Sequence, residues 1–290
     1  MARMRSFFNN VPVFLEAIKV SHSIFALPFA VAAAFLASSG IPAAGLLAKI
    51  VLAVVLARTA AMTCNRWADA DFDAANPRTR VRAIPAGLLS RRSMAIATIV
   101  CCVLFALVCA WINRLAFVLS PVALVFLIGY SYTKRFTSLS HLALGAALGF
   151  SPIGAWVAVR EEITLLPVLL GTAVLFWTAG FDIIYACQDR DFDERAGLFS
   201  IPKSLGIAPA LLVSKAFHLV TIGLLVAVGY IGGLGWIYAA GVLCVLTILA
   251  YEHSLVRSDD LSRVDIAFFT LNGLVSLVFM AAVVLQTVIG

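Results

Sequence analysis

Apolar residues fall along this chain in nine continuous blocks of about 20 residues, the length that carries a helix across a bilayer core. The blocks are roughly Ser21–Ser39, Ala44–Thr63, Ser93–Ile112, Phe117–Tyr132, Leu142–Val159, Leu165–Ala186, Pro209–Ile231, Trp236–Tyr251 and Ile266–Ile289. Within a block the pattern does not alternate with period two, which excludes the strands of a membrane barrel. Backbone groups in hydrocarbon must then be satisfied inside helices. The predicted fold is all-α: a polytopic membrane protein of nine transmembrane helices around a central cavity, in one domain over 1–290. The fourth and eighth blocks are short and are expected to tilt or to extend beyond these bounds. The basic stretch before Ser21 leads into an apolar run without a cleavage site, so it reads as the approach to a first span rather than a removed signal.

Composition agrees with the pattern. The chain is 62% hydrophobic and 12% charged, whereas soluble domains carry about a quarter charged residues. The six cysteines lie in or at the ends of apolar blocks, form no Cys-x-x-Cys pair, and read as small buried hydrophobes.

Charge placement gives the orientation. With a cytoplasmic N-terminus the inner segments are 1–20, 64–92, 133–141, 187–208 and 252–265, and these with Lys215 hold 17 of the 21 basic residues. The positive-inside rule then puts the N-terminus in the cytoplasm. The net charge of +6 is therefore topological. It suits anionic lipid headgroups and gives no support to a nucleic-acid partner.

Two acidic clusters interrupt the apolar chain. The first is Asn65-Arg-Trp-Ala-Asp69-Ala-Asp71-Phe-Asp73 and the second is Asp182-Ile-Ile-Tyr185-Ala-Cys-Gln-Asp189-Arg-Asp191-Phe-Asp193. They follow the second and sixth blocks, and Asp69 and Asp189 stand 120 residues apart. That spacing suggests two four-helix halves plus one helix. On a continuing helix Asn65, Asp69 and Asp73 share a face, and so do Asp182, Tyr185, Asp189 and Asp193, while Asp71 and Asp191 point away. Asn76-Pro77 should end the first helix, and Gly197 the second. Like charges four apart cost a helix a few tenths of a kcal/mol per pair, and a helix C-terminus is the wrong end for them. A bound divalent cation offsets both penalties. Mg²⁺ takes one or two carboxylates and completes its shell with water and phosphate, so two facing carboxylate rows suggest a clamped diphosphate.

Arg58 lies inside the second block near the face of Asn65 and Asp69. An ionisable residue at that depth must face protein or a watery cavity. It is a candidate ligand-binding group, or a structural partner for a buried carboxylate such as Asp182. Arg80, Arg91 and Arg92 read as topological charges. His141 and His218 flank blocks, are expected at the interface, and carry no assigned chemistry.

On these residues the chain resembles the UbiA family of intramembrane prenyltransferases over nearly its whole length. Asn65-x₃-Asp69-x₃-Asp73 resembles the family's first motif and Asp189-x₃-Asp193 its second. Arg78-Thr-Arg-Val-Arg82-Ala-Ile-Pro85-Ala-Gly87 resembles the stretch after the first motif, and Tyr132-Thr-Lys134-Arg135-Phe-Thr resembles the family's Lys-Arg-Tyr/Phe-Thr segment. Phe181-Asp182-Ile-Ile-Tyr185 points within the family toward the 4-hydroxybenzoate branch and the related enzyme of futalosine-dependent menaquinone synthesis. Ala83 and Phe199-Ser200 depart from the pattern of ubiquinone-pathway members.

The resemblance implies Mg²⁺-dependent transfer of a polyprenyl group from its diphosphate to an aromatic acid in quinone synthesis, in the cell (inner) membrane with the active-site loops cytoplasmic. It implies Asn65, Asp69, Asp73, Asp189 and Asp193 as metal ligands, and Asp69, Asp73, Asp189, Asp193 and Asp182 as the acids of catalysis. Arg58, Arg82, Lys134, Arg135 and Tyr185 become the substrate-binding set, with Arg58 or Arg82 on the acceptor carboxylate and Asp182 or Tyr185 orienting the acceptor or removing its proton. A naphthoate acceptor is the alternative within this chemistry. A cation or metabolite transporter is the alternative from another class, although transporters place their ion sites near the midplane.

Overall fold

A computed structural model describes residues 7–290. Arg3 and Arg5, two of the inner-face charges, lie outside the described residues. Among those described, the structure is helices and turns, with one isolated bridge between Arg257 and Asp260. Nine helices among the described residues are long and apolar enough to cross a membrane.

The described residues begin with a short helix not expected from the sequence, α1 (Phe7–Ala17). Pro12 and the adjacent asparagines argue against a helix there. A tertiary bond helps to hold it, because the Arg66 guanidinium donates to the Ala17 carbonyl at 3.0 Å. The first span has two parts, a 3₁₀ turn over Val20–Phe25 and α2 (Leu27–Ser38), with Pro28 in the first turn of the α-helix. Carbonyls at this break are satisfied from neighbouring spans: Ser276 Oγ donates to Ile24 O at 2.6 Å and Ser151 Oγ to Ala26 O at 2.7 Å. A broken span is tolerated in a membrane where such side chains replace the lost bonds.

The second span is α3 (Ala44–Ala68), which stops at Asp69 and resumes as α4 (Ala70–Ala75). The third to fifth spans are α5 (Arg91–Ile112), α6 (Arg114–Thr133) and α7 (Ser140–Arg160). The sixth, α8 (Leu165–Ala186), runs through a 3₁₀ turn into α9 (Arg190–Arg195). After α10 (Ile201–Leu205) come α11 (Ile207–Ile231), α12 (Trp236–Leu255), a π-helical turn over Ile266–Leu271 and α13 (Asn272–Ile289). The spans predicted as short, α6 and α12, extend by several residues and reach full crossing length.

Helices α3, α5, α6 and α7 pack among themselves, as do α8, α11, α12 and α13; the two sets join through α7 and α8, and α2 touches both. An acidic cluster closes the first helix of each set, α3 and α8. Ala30, Ala32, Ala33, Ala34 and Ala37 of α2 are all 0% exposed. A helix buried all round belongs in an interior, and small side chains let its neighbours come close.

The closest helix contact is between α7 and α8. A Cβ on Gly149 would stand 2.5 Å from Gly171 O, and one on Gly171 would stand 2.7 Å from Gly149 O. Gly145, one turn earlier, meets the Leu175 carbonyl in the same way. Small residues four apart permit this backbone approach in membranes. Continued one further turn, the contact sets His141 of α7 beside Asp182 of α8.

Candidate functional site

Both acidic clusters reach one end of the bundle and one cavity of about 300 Å³. Asn65 and Arg58 come to it from α3, Tyr130 and Lys134 from the end of α6, and His141 from α7. Asp182 and Tyr185 of α8 line it, as do Asp189, Asp193 and Arg82. A second, apolar cavity of about 210 Å³ lies between α3, α5, α6 and α7. The two share Arg58, Met62, Tyr130, Leu144 and Leu148 as wall.

Neither cluster is one continuous helix. Asp69 has φ −91 and ψ 6 and hinges α3 against α4. The second cluster passes through the turn at Cys187–Asp189. Asp69 is 2% exposed and Asp73 is likewise buried. Both lie behind the cavity wall, while Asn65, Asp189 and Asp193 line the cavity itself. Asp71 and Asp191 point away as expected, Asp71 toward Arg91 at 3.1 Å. Asn76, before Pro77, is extended at φ −88 and ψ 120 and ends the first cluster. Gly197, at φ +69, ends the second. There Leu198 N bonds Asp193 O and Gly197 N bonds Glu194 O, the paired closure in which glycine takes the left-handed position.

Most of these acids are held by a cation. Lys134 Nζ lies 3.0 Å from Asp69 Oδ2, which also accepts from Asn65 Nδ2 at 2.9 Å. Arg82 bonds Asp73 Oδ1 at 2.7 Å. Arg78 grips Asp189 with two nitrogens, Nε at 3.0 Å to Oδ1 and a second on Oδ2, while its third bonds the Tyr185 hydroxyl at 2.6 Å. Burial works against the charge of Arg78, but the Asp189 carboxylate and the Tyr185 hydroxyl hold its guanidinium above the ordinary arginine range.

No group of three or more acid, imidazole or thiol side chains stands close enough to share an ion among the described residues. The donor set nonetheless fits a hard cation. It is all oxygen, as Mg²⁺ requires, and Asp73 Oδ2 is buried with no hydrogen-bond partner.

Three expectations are corrected. Arg58 does not pair with Asp182. Among the described residues its one hydrogen bond is a long 3.4 Å contact to Lys19 O, and its Nε is buried without a partner. Arg135 does not line the cavity. It donates to Ala68 O at 2.7 Å and lies over the Phe72 and Tyr132 rings, bracing the α3–α4 hinge. The histidines expected at the interface without assigned chemistry are buried in the protein: His141 is 3% exposed and bonded to Asp182, and His218 is 3% exposed and paired with His253 at 2.9 Å.

Arg78 as the link between clusters was not legible, because it sits in a loop rich in topological arginines. Phe268 was missed as well. The π-helical turn brings it to the cavity against Tyr185, with ring centroids 4.2 Å apart, and within 5.4 Å of Phe181.

The sequence pattern of the UbiA prenyltransferase family matches residues 26–274. The 4-hydroxybenzoate octaprenyltransferase of Cupriavidus necator is 33% identical over 256 residues, covering 87% of this chain and 88% of that protein. The enzyme of the same name from Neisseria meningitidis is 30% identical over 258 residues, covering 88% and 86%. The apo structure of a UbiA homolog from Aeropyrum pernix K1 superposes with a TM-score of 0.82 at 33% identity, covering 91% of this chain and 97% of that one. A UbiA homolog from Archaeoglobus fulgidus, bound to GPP and Mg²⁺, shares the fold with a TM-score of 0.75 at 20% identity, covering 94% and 99%.

Proposed function

The chain belongs to the UbiA prenyltransferase family, and from that premise we propose that it transfers a polyprenyl group from its diphosphate to a 4-hydroxybenzoate-type aromatic acid, with Mg²⁺, in quinone synthesis. The observation that carries this reading is that two unlike cavities lie side by side and share part of their walls. A charged one receives both acidic clusters, and an apolar one lies against it, with Arg58 and Met62 lining both. A prenyl diphosphate has those two ends. A transporter built on these acids would have no use for the second.

Asn65, Asp69, Asp73, Asp189 and Asp193 would hold the metal, which supplies Lewis-acid stabilisation of the departing diphosphate. Lys134, Arg82 and Arg78 now neutralise those acids. Beside a diphosphate they can turn the same donors onto phosphate oxygens. The allylic cation would form against Phe181, Tyr185 and Phe268, whose faces attract positive charge, in a site whose membrane walls keep water away. Arg58 has no carboxylate partner among the described residues and lines both cavities, which suits it to the acceptor carboxylate. The Tyr185 hydroxyl is occupied by Arg78, so Tyr185 serves as wall and cation stabiliser. The positive-inside division of charge supports a cytoplasmic face for this site.

The test is purified protein with Mg²⁺, geranyl diphosphate and a panel of aromatic acids. Prenylated 4-hydroxybenzoate is the expected product. Activity on none of the acids would end the proposal.

A further inference from the structure

His141 and Asp182 form a pair that the sequence reading did not assemble. His141 Nδ1 lies 2.7 Å from Asp182 Oδ2. The Ile201 backbone N–H donates to His141 Nε2 at 3.3 Å, so that nitrogen is the acceptor and the ring proton sits on Nδ1, directed at Asp182. Ile201 opens α10, and its N–H is among those a helix cannot satisfy internally. The glycine-mediated approach of α7 and α8 places the two side chains. His141 is buried with both nitrogens committed, so it is not itself free to take a proton from a ligand.

Asp182 lines the charged cavity, and its bond to His141 is its one hydrogen bond among the described residues. It differs from Asp69, Asp73 and Asp189. Those acids are gripped by lysine or arginine, whereas Asp182 is held by an imidazole N–H. One oxygen is fixed by His141, and the residue lines the cavity that Arg58 also lines.

We infer that Asp182 is the group that recognises the acceptor's ring hydroxyl and takes its proton, and that His141 is the positioning residue that aims it. The inference rests on the prenyl-transfer reading and deepens it. Acceptor choice then depends on an O–H as well as on a carboxylate. As the ring carbon ortho to the hydroxyl bonds to the prenyl carbon, the bond from that carbon to diphosphate oxygen breaks, and the hydroxyl proton passes to Asp182. The product at that stage is a neutral dienone. Its ring C–H proton leaves to the released diphosphate, the ring becomes aromatic, and its oxygen recovers the proton from Asp182. The net change is one proton moved from the ring to diphosphate.

The test uses purified full-length protein with Mg²⁺ and geranyl diphosphate, and compares 4-hydroxybenzoate with 4-methoxybenzoate, which keeps the ring and carboxylate but lacks the O–H. The unmodified protein should favour the hydroxyl compound by about 100-fold in kcat/KM, the scale of one general-base contact. Asp182→Asn and His141→Leu should lose about 100-fold on 4-hydroxybenzoate, with KM for geranyl diphosphate unchanged and the preference reduced to a few-fold. His141→Asn can present an N–H where Nδ1–H stood and should recover at least about a tenth of the activity. Full discrimination in Asp182→Asn, or His141→Asn no better than an equally well-folded His141→Leu, overturns the inference alone. An unmodified protein that prenylates no aromatic acid overturns it together with the function on which it rests.

Discussion

Arg78 and Asp189 stand 111 residues apart in the chain and are joined by a two-pronged ion pair. The bond ties the loop after one acidic cluster to the end of the other. Asn76 adds a second tie, donating to Asp189 Oδ1 at 3.1 Å. A carboxylate proposed as a metal ligand is therefore occupied by the loop whose Arg82 lines the same cavity, so on that proposal ligand binding exchanges one partner for another.

Arg78→Ala should lower the Tm of the metal-free protein. The pair is about a third exposed on the arginine side, which limits its worth to about 1 kcal/mol, or about 2 °C in a chain of this size. With Mg²⁺ and geranyl diphosphate present the deficit should shrink, because Asp189 then has a new partner. Thermal melts in detergent with and without the two ligands measure this. An equal deficit under both conditions would mean that Asp189 does not exchange.

Asp69→Ala and Asp189→Ala should each cut prenyl transfer by about 100-fold or more, since the diphosphate loses the charge that lets it leave. Both variants should still insert in the membrane. The unmodified protein treated with EDTA should fall to a similar level and recover with added Mg²⁺. Full activity in either variant, or after chelation, would contradict the metal assignment.

What the sequence made legible follows from how local each signal is. The spans could be read because a bilayer requires long apolar runs, and their ends at Asn76 and Gly197 because proline and glycine act within a residue or two. The broken geometry of the clusters could not be read. The hinge at Asp69 is held by Arg135, which reaches Ala68 O from 67 residues away. Arg78, His141 and Phe268 acquire their roles from partners on other helices, and nothing in their own neighbourhoods marks them. Arg58 was legible as an oddity, a charge at depth, but its expected partner was wrong because His141 had already claimed Asp182.

Arg58→Leu should raise KM for the aromatic acid by about 10-fold or more while leaving KM for geranyl diphosphate within about two-fold, the pattern expected when a charge-assisted contact to one substrate is removed. Arg58→Lys keeps the charge but loses the planar fork, and should fall between the two. Equal changes in both KM values would move Arg58 from the acceptor to the diphosphate.

Gly149→Val should destabilise the protein by about 1–3 kcal/mol, because the added atoms fall on the Gly171 carbonyl and force α7 from α8. Spreading these helices also separates His141 from Asp182, so activity should fall further than stability alone explains. A variant with an unchanged Tm would show that the two backbones can part without cost.

Gly154 lies on the same helix, yet the opposite outcome is expected. It lines the apolar cavity, and a Cβ there would meet nothing within 4 Å. Gly154→Leu should fold as well as the unmodified protein or better, since leucine favours a helix over glycine by up to about 1 kcal/mol. Its side chain would fill space that a prenyl tail would use. If that cavity receives the tail, geranyl diphosphate should be used within about three-fold of normal, whereas longer donors should lose about 10-fold in kcat/KM, the scale of a few kcal/mol or less that attends a crowded apolar pocket. Competition between geranyl and geranylgeranyl diphosphate in one reaction reads the ratio directly, without dependence on the amount of active protein. A ratio unchanged by Gly154→Leu would place the tail elsewhere in the bundle, against a different set of helices.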